Sequence, residues 1–508
     1  MDTAIKKPRV VAFEVTRRCK MKCLHCRASA QSDFTDDLTT AQCKQIIKAV
    51  ADYNRCVLIF TGGEPFERDD IFELIDYADF CGLMVSVATC GYNFDKEKAE
   101  RLKKAGVLTL SFSLDSDDAK MHDDFRQTEG AFKKTLAAIE IAKAAGLKFQ
   151  INTTVTKLNA CKLPAIARLS ENLGAYCFNP FMLVPAGRGK GLADISLSSK
   201  EYEKVLRTVA DLKANSVIDL RFTCAPRFAP VFTEKYPDSK KKAFGCLAAG
   251  DFTFISHAGD VQTCGFLKIS AGNILQTGDF GAIWEKSDFL NAIRKKLFDG
   301  KCGNCDFMEI CGGCRARAFA ATGDYLAWDP LCSYNRPVST LVAAHIDEDK
   351  LSAAADAVNA LPNVSHNYLR KHYYNLWFTL KDTDSAAIDQ TIKKLSYKFN
   401  TPFYSFPSTK HHKLDSSAIK RHNPPKNYNA MFCCRAGNDI LKSAAKYLCD
   451  LPQVSHCYER KTYEHWPYNL YAMLHAEKDV QIDNIVAQFI GEFGIEQCQI
   501  LPTVKSLK

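Results

Sequence analysis

A chain of 508 residues, 46% hydrophobic and 25% charged, has room for three or four domains and the balance of an ordinary folded protein. Its net charge of +9 is mild, no Lys/Arg block marks a nucleic-acid surface, and no run approaches about 18 apolar residues, so neither nucleic acid nor a membrane span is expected. With 22 cysteines and no signal-peptide pattern from Met1 to Val10, the chain does not read as a secreted disulfide scaffold; thiols at close spacing in a reducing cytoplasm point to metal.

Short β-rich runs alternate with amphipathic stretches over the first part of the chain. The strand candidates are Val10–Thr16, Cys56–Thr61, Met84–Thr89, Leu108–Asp115, Phe149–Thr156 and Cys177–Val184. Helices are expected over Thr39–Tyr53, Ile71–Phe80, Glu97–Ala105 and Ala131–Ala145, and a further one over 198–214. Six β/α units in order predict a parallel sheet, open or closed into a barrel. From 224 to 335 cysteine, glycine and turns dominate, as expected where metal replaces a large core. Beyond Pro337 two segments repeat: LPNVSHNYLRK from Leu361 matches LPQVSHCYERK from Leu451. Each repeat reads β-α-β-β-α-β, a ferredoxin-like order, with His411–Lys426 as the linker.

Cys19, Cys23 and Cys26 form a C-x3-C-x2-C triplet just after the first strand. Three thiolates can hold three irons of a [4Fe–4S] cube and leave the fourth open to a chelating molecule. The carboxyl end of a parallel sheet is where active sites of such folds gather. The run VTRRCKMKCLHC from Val15, followed by Gly62, Gly63, Glu64 and Pro65 after the second strand, resembles the radical S-adenosylmethionine superfamily. The resemblance implies that this GGEP turn, with Thr89, Ser113 and Asp115 after the third and fourth strands, contacts S-adenosylmethionine. A zinc knot with a fortuitous GGEP turn is the competing reading of the same residues.

A second group follows as Cys246 and Cys264, then Cys302, Cys305, Cys311, Cys314 and Cys332. It resembles the SPASM extension of that superfamily, with one or two auxiliary [4Fe–4S] clusters. The resemblance assigns Cys302, Cys305, Cys311 and Cys332 to one cluster. Cys246, Cys264 and Cys314 fall to another, with Cys224 or an open iron as the fourth site. A zinc ribbon remains the alternative for these pairs. The other eleven cysteines read mostly as small apolar packing residues.

HCRASA from His25, FMLVPAGRG from Phe181, FISHAG from Phe254, CGGCRARA from Cys311 and TGDYLA from Thr322 resemble the heme b synthases of the siroheme-dependent heme pathway, over roughly residues 8–336. That resemblance implies oxidative decarboxylation of two propionates of iron-coproporphyrin III to vinyls, with a low-potential donor such as flavodoxin or ferredoxin. Arg17, Arg188, Arg315 and Arg317 are candidates for gripping carboxylates. The repeats resemble siroheme decarboxylase subunits of the Lrp/AsnC type, although the family's N-terminal helix-turn-helix half is missing. His366, Tyr368 and Arg370, and His456, Tyr458 and Arg460, share a strand face and are the candidate catalytic or tetrapyrrole-binding residues there.

The expected architecture is therefore a partial (β/α)6 radical S-adenosylmethionine barrel (8–215), a Cys-rich auxiliary-cluster domain (216–336) and two ferredoxin-like α+β domains (338–412 and 427–508). Alternatives are didecarboxysiroheme deacetylation, siroheme decarboxylation by the repeats, a peptide-modifying SPASM enzyme, and a tetrapyrrole sensor with structural clusters.

Overall fold

The computed structural model describes residues 5–303, 305–414 and 428–508. It divides into two compact units, Met1–Tyr334 and Asn335–Lys508.

The first unit is built on one nine-stranded sheet. Its strands are β1 (Val10–Thr16), β2 (Val57–Gly62), β3 (Met84–Thr89), β4 (Thr109–Ser113), β5 (Phe149–Val155), β6 (Cys177–Met182), β7 (Asp219–Leu220), β8 (Phe252–Ile255) and β9 (Val261–Gln262). Each of β1 to β6 pairs in parallel with the next, as the alternating strand and helix pattern predicts. Their apolar residues, among them Phe13, Leu58, Val87, Leu110 and Ile151, are wholly buried beneath helices such as Thr40–Tyr53 and Ile71–Phe80. Thr39 caps the first of these helices in a reciprocal capping box with Gln42.

The Cys-rich segment contributes β8, which pairs in parallel with β1 on its free edge, and β9, which turns back antiparallel to β8. This pairing was not evident in the sequence. It places the chain after β8 beside the carboxyl end of β1, where the cysteine triplet begins.

The second unit has β10 (Val338–Ala344), β11 (Val364–Arg370), β12 (Leu376–Asp382), β13 (Phe403–Leu414), β14 (Tyr428–Cys434), β15 (Val454–Arg460), β16 (Leu470–Ala476) and β17 (Cys498–Ser506). Each repeat has the expected β-α-β-β-α-β order, but the two are not separate domains. The last strand of each repeat pairs with the second strand of the other, β13 with β15 and β17 with β11, and the eight strands close into a barrel. Closure removes the open edges that isolated four-stranded sheets would leave. It also corrects the expected linker: residues up to Leu414 are strand, while 415–427 lie outside the described residues. Helices cover the outer faces, and the interior holds a second apolar layer containing Trp377, Phe406, Trp466 and Tyr471.

Candidate active site and cluster-binding residues

The triplet loop is held by backbone contacts that explain the GGEP turn. Gly63 and Glu64 donate their N–H groups to the carbonyls of Thr16 and Arg18, so pairing of β1 with β2 continues into the cysteine loop. A Cβ on Gly62 would come within 2.4 Å of the Thr16 oxygen, and one on Gly63 within 2.3 Å of the Arg18 oxygen. Only glycine permits that approach. On the other side, a Cβ on Gly187 would meet the carbonyl oxygens of Cys26 and Arg27, each at 2.4 Å.

The acidic residues expected to touch S-adenosylmethionine have their carboxylates engaged within the protein. Glu64 is buried and accepts from Thr89 Oγ1 and Cys90 N, both at 2.8 Å, which ties β2 to the end of β3. Asp115 is buried and accepts from Arg126 Nε and Thr154 N, both at 2.7 Å. Thr89 donates to Glu64 and accepts from Gly91 N at 3.0 Å. Ser113 ends β4 opposite Asn152 and Pro65 opens a short 3-10 turn. The expected group does surround the carboxyl end of the sheet, but the carboxylates of Glu64 and Asp115 act there as internal struts.

Sequence reasoning missed the residues behind the thiols. Arg126, held by Asp115, reaches Cys23 Sγ at 3.8 Å. Ala30 N donates to Cys26 Sγ at 3.4 Å. Cys19 lies within electrostatic reach of Cys23 and Cys26, and burial pushes its thiol up to about 12. His25 stacks on Phe125 at 4.3 Å, and burial pulls its ring down to about 3, so it stays neutral. The signal for Arg126 and Phe125 was absent because both lie on a helix whose partner is fixed only by folding.

The second group resolves into two quartets. Cys224 lies within electrostatic reach of Cys246, Cys264 and Cys314. Cys305 faces Cys302, Cys311 faces Cys305 and Cys332, and Cys332 faces Cys302. Phe307 N and Gly313 N donate to Cys305 Sγ and Cys311 Sγ, and Arg315 Nη2 to Cys302 Sγ, all at 3.4 Å. N–H and guanidinium donors aimed at sulfur fit thiolates bound to iron, whose negative charge they offset. Among the described residues no trio of Cys, His, Asp or Glu closes around a single metal ion, a geometry that a cube with one thiolate per iron does not ask for.

Three of the four arginines expected to grip substrate are structural instead. Arg188 donates to Cys23 O and Ala30 O at 2.8 and 2.7 Å and so staples the triplet loop. Arg315 donates to the carbonyls of Tyr325, Leu326 and Ala327. Arg317 is paired with Asp329, each 3% exposed. Arg17 keeps a buried Nε, and Arg188 a buried Nη2, without a hydrogen-bond partner. Of the eleven unpatterned cysteines, Cys43, Cys56, Cys177, Cys433, Cys434 and Cys457 are buried as expected, whereas Cys161 is exposed.

Residues 13–169 match the family model of the radical SAM superfamily, 246–315 that of an iron-sulfur cluster-binding domain (SPASM), and 337–413 with 427–508 that of an AsnC-like ligand binding domain. The chain is 40% identical over 343 residues to the AdoMet-dependent heme synthase of Methanosarcina barkeri, covering 64% of this chain and 97% of that protein. It belongs to the radical SAM family that contains that synthase. The Fe-coproporphyrin III synthase of the same organism is 30% identical over 355 residues, 64% of this chain and 88% of that protein. The solved structure of Streptococcus suis SuiB, 17% identical and covering 64% of this chain and 77% of that one at a TM-score of 0.53, shares the radical SAM fold. As in that family, a [4Fe–4S] cluster with S-adenosylmethionine belongs at the triplet, and auxiliary clusters belong in the SPASM segment. Among the described residues no helix is long and apolar enough to cross a membrane.

The AsnC-like unit brings the two repeated motifs together. The rings of His366 and His456 lie 6.4 Å apart. Each stacks with the tyrosine two residues on, Tyr368 at 6.0 Å and Tyr458 at 6.1 Å. Arg370 and Arg460 lie over those tyrosines at 5.1 and 5.0 Å. Arg370 also donates to Leu501 O and Thr503 Oγ1, both at 2.9 Å, and Arg460 to Phe406 O at 2.8 Å, so each arginine bonds the other repeat. That reciprocity explains the recurrence of FPST and LPTV at the repeat ends. Both guanidiniums are buried, and among the described residues neither pairs with a carboxylate; burial pulls both down to about 10.

Proposed function

We propose that this chain is a cytoplasmic heme synthase that oxidatively decarboxylates two propionates of iron-coproporphyrin III to vinyls. The observation that carries the reading is the higher identity to the heme synthase than to the Fe-coproporphyrin III synthase of one organism, over 97% of the former. It comes on top of the triplet of thiols after β1 and the eight further thiols from Cys224 to Cys332. Each propionic acid side chain loses one carbon dioxide and two hydrogens, so one hydrogen atom, one proton and one electron leave with it. When bound, the cluster on Cys19, Cys23 and Cys26 with S-adenosylmethionine supplies hydrogen-atom abstraction, and the auxiliary clusters supply an electron sink.

The chain's own residues hold these parts in place. Gly62, Gly63 and Gly187 let the triplet loop seat between two backbone walls, and Arg188 staples it. Arg126 and Arg315 place positive charge at sulfur. A flavodoxin or ferredoxin is the partner that supplies electrons, and nucleic acid has no part. The functional segments are 8–215, 216–336 and, within the one barrel, the two repeats 338–412 and 427–508. In the last two, His366, Tyr368, Arg370, His456, Tyr458 and Arg460 line a tetrapyrrole site in which the arginines meet carboxylates. Incubation with iron-coproporphyrin III, S-adenosylmethionine and a strong reductant tests the reading. Loss of two carbon dioxides and four hydrogens by mass is expected; unchanged porphyrin beside 5′-deoxyadenosine formation rejects the substrate.

A further inference from the structure

Between the triplet loop and the second quartet the first unit gathers positive charge that the mechanism above does not use. Arg17 follows β1, Arg27 follows Cys26, Lys190 closes the PAGRGK turn after β6, and Lys268 lies just past Cys264. Arg27 Nη1 donates to Glu14 Oε1 at 2.9 Å, and its guanidinium lies 4.5 Å over the Phe254 ring. A Cβ on Gly265 would come within 3.0 Å of Arg27 Nε, so the missing side chain next to Cys264 is what lets the guanidinium lie there. The Arg17 guanidinium stands 6.0 Å over Phe34, whose ring meets His257 edge-on at 5.4 Å. His257 Nδ1 in turn is 3.1 Å from Glu14 Oε2.

The charge there does not balance. Although exposed at the surface, Lys268 is partly desolvated by the protein around it and feels Arg17, Arg27 and Lys190, which together lower its ordinary value, with Glu14 pulling the other way. Glu14 is already bonded by Arg27 and His257. Three further cations thus lie within electrostatic reach of Lys268, against the one already bonded carboxylate of Glu14, and the half-buried Phe34 ring supplies an apolar wall beside Arg17. A ligand that completes this arrangement has a planar apolar body and at least two carboxylate arms.

We propose that Arg17, Arg27, Lys190 and Lys268 form the subsite that takes propionate carboxylates of the substrate, with the half-buried Phe34 ring against its macrocycle. This deepens the heme synthase reading and rests on it. Glu14 and His257 are positioning residues that aim Arg27.

Lysine acetylation of the full chain, mapped by mass spectrometry, tests the subsite directly because Lys190 and Lys268 are exposed. Iron-coproporphyrin III is expected to protect both, while its tetramethyl ester protects neither; exposed Lys104 serves as the unprotected control. Lys268→Gln is expected to raise KM for iron-coproporphyrin III about tenfold, the cost of one charge-assisted contact. Equal labelling of Lys190 and Lys268 with and without a porphyrin that the enzyme converts to heme overturns the subsite and leaves the heme synthase reading standing. Protection by the ester as strong as by the acid overturns the carboxylate assignment. A porphyrin that is not converted at all overturns the heme synthase reading, and the subsite with it.

Discussion

Asp329→Asn is expected to loosen both auxiliary quartets at once. Asp329 meets Arg317 through two bonds, 3.0 Å to Oδ1 and 2.7 Å to Oδ2. The same oxygens accept from Leu331 N at 3.2 Å and from Cys314 N at 2.8 Å, and the Asp329 carbonyl accepts from Cys332 N at 3.0 Å. Arg317 Nη1 reaches Cys224 O at 2.6 Å. One buried pair therefore braces Cys224 and Cys314 of one quartet and Cys332 of the other. The amide turns a donor toward the guanidinium and leaves a buried cation without its counter-charge. Breaking such a pair costs about 3–5 kcal/mol. With an unfolding entropy of roughly 2 cal/mol/K per residue over the unit Met1–Tyr334, each kcal/mol is worth about 1.4 °C, so melting should fall by about 4–7 °C. The assay is anaerobic thermal unfolding with iron analysis: auxiliary iron is lost first. Burial raises the Asp329 carboxyl but Arg317 outweighs it, so the group lies below its ordinary value of 3.8. Its contribution is present above that value and lost as pH falls through the lowered one, so the penalty stays constant across neutral pH. Arg317→Met with Asp329→Leu should recover part of the loss, because an apolar pair leaves no orphan charge. A D329N protein that melts within about 1 °C of wild type with full iron refutes the reasoning.

Glu14→Gln is expected to cost about 1–3 kcal/mol, since it replaces one of the two oxygens that Arg27 and His257 meet by a donor and removes the charge that Arg27 balances. Burial pushes Glu14 up, but Arg27 and His257 pull it to about 2, so its contribution is present above the ordinary 4.5 and lost only as pH falls toward 2. Denaturant titrations at about pH 6 and about pH 8 should show equal penalties, and a clear difference between them contradicts the assignment. Cys224→Ser is expected to lower auxiliary iron and alter the low-temperature EPR spectrum of the reduced protein; an unchanged spectrum leaves that quartet with three ligands. Arg460→Gln and Arg370→Gln should each weaken tetrapyrrole binding in an absorbance titration. Each should also destabilise the second unit by about 1–3 kcal/mol, because each bond crosses between repeats. Binding and melting both at wild-type values would argue against the barrel as a tetrapyrrole site.

The amino-acid order by itself determined the local features. The strand and helix periodicity of residues 10–214 located β1 to β6 of the sheet to within about two residues, whereas β7 and β8 carried no such signal. The spacing of Cys19, Cys23 and Cys26 named the triplet, because its ligands lie on one short loop. The matching LPNVSHNYLRK and LPQVSHCYERK named the two repeats and their His, Tyr and Arg residues. Tertiary structure decided what depends on partners distant in the chain. It gave Cys224 its three neighbours, set β8 beside β1, and joined the repeats through β13 and β17 into one barrel. It also sorted the arginines. Arg188, Arg315 and Arg317 carry the same charge and length as Arg17, and only the carbonyls and carboxylate that folding delivers show that those three are used within the protein. Periodicity and spacing act between near neighbours in the chain and can be read directly. The pairing of a buried charge depends on which distant group arrives beside it, and the burial that makes that pairing matter exists only once the core has closed.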